Sequence, residues 1–372
     1  MGTKAMKDSL GREAVTRLAQ NIERVWPDFA DKAFVAAACR GLGKLELKER
    51  AVHVAEALAA HLPDDYRAAL EVIDRAAASW EAGDPDDALR GFAAWPLFFF
   101  VERHGVDDFD ASMATLRRIT HLFSAEGAVR PFIERYPKRA HRELGRWSRD
   151  RDEHVRRLVS EGMRPRLPWA ARIPALIEDP APVLSLLERL KDDPARYVQR
   201  SVANNLNDIS KDHPELVVET CRRWSRDAGE GRRWIIGHGL RTLIKRSHPG
   251  ALELMGYGSR PRVRLQDVRI TPRRVRLGAD LRLSFGLESE AQGEQALLVD
   301  YAVHYVKANG SLSPKVFKLR KLKLAAGAQR ELQATISFAP ISTRRYWPGT
   351  HRVELRINGA PYPLGDFELV ES

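Results

Sequence analysis

Three carboxylates stand among arginines in the middle of this 372-residue chain, and they are the side chains best placed to do chemistry. They are Glu126 in "SAEGAVRPF", Glu161 in "RRLVSEG" and Asp208 in "NNLND". The same region offers the aromatic rings of Trp147, Trp169 and Trp234. A carboxylate that faces a polyanion is unfavourable unless it performs chemistry or is neutralised by neighbouring cations. Spacing alone favours structural ion pairs with neighbours such as Arg157 and Arg200, and it leaves catalysis as the alternative.

A repeated helical design surrounds these carboxylates. "HVRRLVSEG" (154–162) and "YVQRSVANN" (197–205) superpose with an offset of 43 residues, and the looser copy "GRRWIIGHGL" (231–240) follows about 33 residues later. Each copy interleaves basic and apolar positions. A period of this size is typical of a helical solenoid, in which each helix pair buries its apolar face only against its neighbours. We therefore predict an α-solenoid that carries the candidate site.

The pattern of the chain changes at about residue 258. Before it, apolar residues recur at helical spacing from about residue 15, and the most apolar stretch (87–105) is interpreted as core and not as a lipid or cofactor pocket. After it, short alternating runs separated by turns predict an antiparallel β-sandwich of roughly seven strands. We predict two domains, a helical repeat domain at 1–258 and a basic β-sandwich at 259–372.

The net charge of +11 and the sequence pI of about 9.8 predict an anionic partner, nucleic acid before an anionic membrane. The segment 259–372 carries 19 Lys and Arg against 11 Asp and Glu, so it holds +8 of the total. Alternating cations, among them Arg262, Arg264 and Lys321, place positive charge on strand faces that suit phosphates. The alternative is a solvated face whose charges discourage pairing of sheet edges.

Several classes of site are not supported by the sequence. It contains no Gly-rich phosphate loop, H-E-x-x-H pair or G-x-S-x-G elbow, and its eleven histidines are scattered. Cys39 and Cys221 are the only cysteines, which excludes a disulfide framework and a cysteine-rich zinc site. No stretch resembles a signal peptide or a membrane span. We expect a cytoplasmic protein without metal or cofactor.

The long motifs resemble those of a known family. "HVRRLVSEGMRPRLPWA", "YVQRSVANNLNDISKDHPELV" and "RRWIIGHGLRTLIKR" are similar to the DNA alkylation-repair glycosylases built from HEAT-like repeats, the AlkC/AlkD superfamily. The chain is more similar to the AlkC branch than to the AlkD branch, because AlkC-type proteins also have an immunoglobulin-like β-domain after the helical repeats. The resemblance covers nearly the whole chain. It implies a monofunctional glycosylase without metal or cofactor that excises cationic alkylated bases, chiefly 3-methyladenine and also 1-methyladenine, without deep base flipping.

The resemblance also implies roles for individual residues. Glu126, Glu161 and Asp208 form the implied catalytic set, which stabilises a cationic sugar transition state and positions the attacking water. Trp169 in "RLPWA" contacts the deoxyribose or a base face. Apart from the resemblance, the charge pattern leads us to expect that cations hold backbone phosphates, with Arg157, Arg164, Arg200, Arg262, Arg264 and Lys321 as the predicted DNA-binding set. We expect a monomer, associated with the nucleoid through its DNA substrate.

Two rival hypotheses remain open at this point. The first is a non-catalytic scaffold of the same architecture that binds DNA, since solenoids commonly bind partners on a concave surface. The second is a membrane-associated adaptor that binds anionic lipid. Carboxylates beside Trp169 argue against the first, because a scaffold gains nothing from acids that face phosphates.

Overall fold

A computed structural model describes residues 6–84, 87, 90–258, 260–341 and 344–371 of the chain. Residues 88 and 89 of the most apolar stretch, and residue 259 at the predicted domain boundary, lie outside the described residues. The chain divides into two compact units. The first contains the residues up to Asp212 together with Ala228–Gly239, and the second contains His213–Asp227 together with the residues from Leu240 onward.

The described part of the first unit is helical. Its α-helices are α1 (Arg12–Glu23), α2 (Asp31–Cys39), α3 (Leu47–Ala59), α4 (Tyr66–Ala78), α5 (Trp95–His104), α6 (Phe109–Ile119), α7 (Arg130–Arg135), α8 (Pro137–Trp147), α9 (Glu153–Gly162), α10 (Pro174–Glu178), α11 (Ala181–Leu190), α12 (Arg196–Ile209) and α14 (Glu230–Gly239). Short 3-10 helices occupy Met6–Ser9, Leu42–Lys44, Arg90–Ala94 and Thr120–Leu122. The predicted helical region is confirmed.

Local sequence explains where several of these helices begin. Asp65 accepts a hydrogen bond from the amide of Ala68 at 2.8 Å at the start of α4, and Asp108 does the same for Ala111 at 3.3 Å in α6. These side chains satisfy amide groups that have no partner within the helix. Each helix then buries its apolar stripe, as Leu97 and Val101 of α5 and Leu116 of α6 illustrate. Burial of that stripe is what stabilises each helix in the unit.

The second unit combines three helices with eight strands among the described residues. The helices are α13 (Pro214–Ser225), α15 (Arg241–Lys245) and α16 (Pro249–Leu254). The strands are β1 (Val263–Thr271), β2 (Arg274–Arg276), β3 (Asp280–Ser289), β4 (Gln295–Val306), β5 (Leu312–Leu324), β6 (Gln329–Ser337), β7 (Gly349–Ile357) and β8 (Ala360–Val370). The immunoglobulin-like sandwich predicted after residue 258 is therefore present.

The two sheets of the sandwich have the orders β1-β3-β6 and β2-β8-β7-β4-β5. The prediction of about seven strands, all antiparallel, was wrong in one respect, because β2 pairs with β8 in parallel. The sequence "RRVRLGADLRLSFGL" forms two strands and not one, since Gly278 has a φ of +93° and turns the chain between β2 and β3. Phe285, Val299, Val353 and Phe367 are among the buried residues between the sheets.

The compact units do not coincide with the predicted division at residue 258. Leu252 of α16 and Tyr257 pack with Leu298 of β4 in a small buried cluster, so the last helices share a core with the sandwich. The boundary at 258 marks the change of secondary structure, and as a folding boundary it stays a prediction. No helix in the described part of the chain is long and apolar enough to cross a membrane.

Candidate active site

Helices α9 and α12, which carry the two superposable sequence repeats, pack side by side and hold most of the predicted site. Asp152 caps α9 by accepting a hydrogen bond from the amide of His154 at 2.8 Å. The side-chain amide of Asn205 in α12 donates to the carbonyl oxygen of Ser160 in α9 at 2.8 Å. Gly162 ends α9 where a Cβ atom would meet the side chain of Val129 at 2.6 Å, so this close approach requires glycine. The segment that carries Glu126 thereby lies against the end of α9.

Arg164 joins two of the predicted carboxylates. Its Nη1 donates to Glu161 Oε1 at 2.6 Å, and its Nε donates to Asp208 Oδ2 at 2.8 Å. All three side chains are buried. Burial disfavours the charge of the guanidinium, but the two carboxylates outweigh it and the pKa of Arg164 is raised above its ordinary value. The second oxygens are also bound, since Ser201 donates to Glu161 at 2.5 Å and Lys211 donates to Asp208 at 2.8 Å.

Arg157 joins Glu126 to the same cluster. Its Nη1 donates to Glu126 and also to the hydroxyl of Ser124, which in turn donates to Glu126. Its Nη2 lies 3.6 Å from Glu161 Oε1. Burial opposes the charge of Arg157, but Glu126 and Glu161 raise its pKa overall. The guanidinium also lies over the ring of Tyr197, 5.1 Å from the ring centroid.

Together these contacts form a chain of alternating charge, which we call the carboxylate ladder. Its members in order are Glu126, Arg157, Glu161, Arg164, Asp208 and Lys211. The side chain of Glu126 is 26% exposed, whereas Glu161 and Asp208 are 7% and 3% exposed. Glu126 is therefore the carboxylate of the ladder that solvent reaches most readily.

Trp169 lies beside the ladder, and its side chain is exposed to solvent. It is 65% exposed, the largest exposed fraction among the large apolar side chains that the structure describes. Its φ of +63° is in the left-handed region, which costs a residue with a Cβ atom about 1–3 kcal/mol. Trp169 and Glu126 both line one cavity of about 300 Å³. Backbone strain and an exposed indole at one position indicate a functional constraint more than a packing one.

Three residues of the site were missed by sequence reasoning. Arg130 is buried and donates to three backbone carbonyl oxygens, those of Gly162, Arg164 and Ala171. Burial lowers the pKa of Arg130 to about 10. Ser201 and Lys211 bind the outer oxygens of Glu161 and Asp208. Lys211 had a local signal, three residues after Asp208, but the contacts of Arg130 and Ser201 span 32 residues or more and have none.

The predicted DNA-binding cations fall into two groups. Arg157 and Arg164 bind carboxylates within the ladder, so their contact with phosphates stays a prediction. Arg200 on α12 is exposed. In the sandwich, Arg262 and Lys321 are exposed, while Arg264 binds Glu290 with Nε 2.7 Å from Oε1. Arg264 on β1 and Lys321 on β5 belong to different sheets.

The remaining tryptophans named from the sequence are not brought to the ladder. Trp147 is buried in α8 and donates to Glu143 at 2.9 Å. Trp234 of α14 stacks on His238 with a centroid separation of 4.8 Å and lies under the guanidinium of Arg196. In the described ranges, no three His, Cys, Asp or Glu side chains form a group that could hold a metal ion. The ladder itself offers carboxylates at fixed positions, which can stabilise developing positive charge and accept a proton from water.

Comparison with known proteins relates this geometry to sequence families. Residues 99–223 match the family model of the DNA alkylation repair enzymes, and residues 264–371 match that of the C-terminal Ig-like domain of the uncharacterised protein YhaZ. The chain is 34% identical over 365 residues to the uncharacterized protein YhaZ of Bacillus subtilis (strain 168), with 98% of this chain and 99% of that protein covered. It is also similar to the solved structure of the Pseudomonas fluorescens alkylpurine DNA glycosylase AlkC bound to DNA containing an abasic site analog. That similarity has a TM-score of 0.91 and 39% identity, and it covers 99% of this chain and 100% of that one.

Proposed function

Because this chain belongs to the AlkC-type DNA alkylation repair enzymes, we propose that it is a monofunctional DNA glycosylase for cationic alkylated bases. Its substrates are 3-methyladenine and also 1-methyladenine in double-stranded DNA, and it hydrolyses the N-glycosidic bond as the first step of base excision repair. The observation that carries the proposal is the carboxylate ladder beside the exposed Trp169, set in a chain of net charge +11.

The substrate makes this reaction accessible to carboxylates alone. An N-alkylated adenine in DNA is already positively charged, so it leaves with the bonding electron pair and becomes neutral without being protonated first. Positive charge then develops on the deoxyribose. Fixed carboxylates stabilise that charge in the transition state more than in the ground state, which is the requirement for rate acceleration. Water adds to C1′ of the sugar and gives up its proton to a carboxylate.

The three carboxylates of the ladder differ in solvent exposure, and we propose different roles for them accordingly. Glu126 is the most accessible of the three and lies at the cavity, so it positions the water and accepts its proton. Glu161 and Asp208 lie behind Arg157 and Arg164 and supply fixed negative potential to the same site. Arg157 and Arg164 offset part of this negative charge, which lets a phosphate backbone approach with less repulsion. Trp169 contacts the deoxyribose or a face of the cationic base.

We propose DNA as the partner and a monomer as the working form. Arg200 on α12 and the strand cations Arg262, Arg264 and Lys321 hold phosphates, which fix the position of the protein on the duplex without reading sequence. The base is excised from the helix without being rotated into a deep pocket before cleavage. We place the enzyme with the DNA of the cytoplasm.

Release of free base from alkylated duplex tests the proposal. Purified full-length chain is incubated with N-methylated duplex DNA, and the supernatant is analysed by chromatography against authentic 3-methyladenine and 1-methyladenine. We expect wild type to release both bases and Asp208→Asn to release them about 10²-fold or more slowly. Tight binding of the duplex without any released base would instead identify a non-catalytic DNA-binding protein.

A further inference from the structure

The cavity beside Trp169 is also lined by an aromatic wall that the proposed chemistry does not use. The wall consists of Trp95 and Phe99 of α5 and Phe123, which precedes Glu126 by three residues. The Trp95 ring lies 5.3 Å from that of Phe99 and 5.5 Å from that of Phe123. The stretch 87–105 was interpreted from the sequence as core alone. Phe99 is buried as expected, but it also lines this cavity.

We propose that this cavity is a binding site for the freed N-alkylated purine, which enters it after the glycosidic bond has broken. The proposal rests on the proposed function, since the occupant is the product of that reaction. It is compatible with excision without prior flipping, because the base moves only once it is detached.

The position of the cavity supports this occupant. Glu126 and Trp169 belong both to the candidate active site and to the cavity lining. When the C1′–N bond breaks, both electrons pass to the ring nitrogen and the base becomes a neutral aromatic ring. The water oxygen bonds to C1′, and its proton passes to a carboxylate. A base released beside Glu126 is therefore already next to the cavity that the aromatic wall lines.

The walls suit a planar ring with polar edges. The cavity volume of about 300 Å³ is at the lower end of the roughly 300–1,000 Å³ that small-molecule sites occupy. Aromatic side chains bind nucleobases by stacking, an interaction that every base face can make. A Cβ atom at Gly127, another lining residue, would meet nothing within 4 Å, so this glycine leaves the space open.

Glu102 of α5 supplies a polar group to the same cavity, with Lys48 also in the lining. Burial raises the pKa of the Glu102 carboxyl, and Lys48 and Arg103 limit the rise. The carboxylate accepts hydrogen bonds and its protonated form also donates one. A purine presents both an amino donor and ring-nitrogen acceptors at its edge, so Glu102 can bind either edge.

Equilibrium dialysis of the full-length protein without DNA tests the site, with free 3-methyladenine as the probe and adenine beside it. We expect saturable binding of 3-methyladenine to wild type. Phe123→Leu, which removes one stacking ring, should weaken it about 10-fold or more. Gly127→Leu should abolish it by filling the cavity, and Glu102→Gln should weaken it without loss of the fold. Phe109→Leu and Glu71→Gln are the matched controls, because neither residue lines the cavity, and they should bind as wild type does.

Excision is measured in parallel, so that a failure of the proposed product site can be distinguished from a failure of the proposed glycosylase function. Release of 3-methyladenine from methylated duplex by wild type, together with no saturable binding of the free base, would overturn the product site and leave the glycosylase assignment intact. Equal binding by wild type, Phe123→Leu, Glu102→Gln and Gly127→Leu would also overturn it. Binding of the base by a protein that releases none from DNA would refute the proposed function.

Discussion

Arg130 donates two hydrogen bonds to one acceptor, the carbonyl oxygen of Ala171, from Nε at 3.1 Å and from Nη2 at 2.7 Å. Its Nη1 donates to the carbonyl oxygens of Gly162 and Arg164, both at 2.9 Å. Ala171 follows Trp169 by two residues, and Gly162 follows Glu161 directly. A single buried guanidinium therefore ties the segment that carries Trp169 to the helix end that carries Glu161.

This relationship predicts that Arg130 positions the site. Arg130→Met should lower the single-turnover excision rate by up to about 10²-fold, because small displacements of reacting groups are that costly. It should also lower stability by about 1–3 kcal/mol, since buried carbonyl groups lose their donors. Excision kinetics and thermal unfolding measure the two effects separately.

The matched control for Arg130 is Arg156→Met. The side chain of Arg156 binds Asp193, with Nε 2.6 Å from Oδ2, and its other hydrogen bonds go to the backbone of Asp150 and Arg151, outside the ladder. Its loss should therefore destabilise the protein without slowing chemistry. Arg130→Lys should restore part of the rate. Equal slowing by Arg156→Met at matched fraction folded would show that Arg130 acts only through stability.

The carboxylates of the ladder should matter for chemistry more than for binding. Glu161→Gln and Asp208→Asn keep the shape of each side chain but remove its charge, and each should lower the excision rate by about 10²-fold or more. Affinity for the duplex should be kept or raised. Asp193→Asn, which removes a buried carboxylate paired outside the ladder, is the control. Wild-type single-turnover rates in both variants would remove these residues from the mechanism.

Two substitutions of Trp169 separate the effect of its strained backbone on stability from the effect of its indole ring on excision. Trp169→Gly and Trp169→Ala both remove the indole and should slow excision by about 10-fold or more. Glycine adopts the φ of +63° without steric cost and alanine does not. Trp169→Gly should therefore be more stable than Trp169→Ala, by up to about 1 kcal/mol. Urea unfolding of the two variants makes the comparison, and the reverse order would contradict a strained backbone.

The strand cations should set the salt dependence of DNA binding. If Arg262→Ala, Arg264→Ala or Lys321→Ala each removes one cation bound to a phosphate, each should flatten the slope of log affinity against log salt by about 0.9. Arg352→Ala, which lies outside the predicted set and binds Asp366, is the control. Unchanged slopes in all three variants would mean that these strands carry only a solvated face.

Point variants are better suited to this question than removal of the sandwich. Leu252 and Tyr257 pack with Leu298 of β4, so a chain cut at residue 258 would lose part of the core of its last helices. Weaker binding after truncation would then report misfolding as well as missing cations.

His351 should make the second unit less stable in mild acid. The ring is buried and stacks on Phe367 with centroids 5.2 Å apart. Its Nδ1 accepts from the amide of Val306 at 3.4 Å and its Nε2 donates to the carbonyl oxygen of Trp347 at 3.0 Å, which fits the neutral ring. Burial lowers the pKa of His351, and the bond to Trp347 offsets part of the effect.

The sign of that pH dependence follows from proton binding. The unfolded chain, with a histidine pKa of about 6.5, binds the proton more readily than the folded one. The contribution of neutral His351 to the free energy of unfolding is therefore fully present above about pH 6.5. It is lost as the pH falls towards the lowered pKa of His351 in the folded protein, by at most about 1.4 kcal/mol per pH unit. His351→Gln should flatten the curve of unfolding free energy against pH, whereas His121→Gln at an exposed position should not.

The sequence determined the features that depend on local order along the chain. Apolar spacing of 3.6 or 2 residues marks the change from helix to strand near residue 258, because each side-chain period belongs to one backbone geometry. Glu161 near the end of α9 and Arg164 just beyond it are three residues apart, so the sequence shows that they are near each other. The repeated motif also predicted that the segments of α9 and α12 carry the candidate site.

Tertiary structure decided which groups meet across the fold. The partners Arg157 and Glu126 lie 31 residues apart, Ser201 and Glu161 lie 40 apart, and Arg130 reaches Ala171 over 41. Spacing along the chain cannot specify such contacts, because they depend on how helices pack and how far each side chain reaches. The same packing left Glu126 accessible, buried Glu161 and Asp208, and opened the cavity beside Trp169.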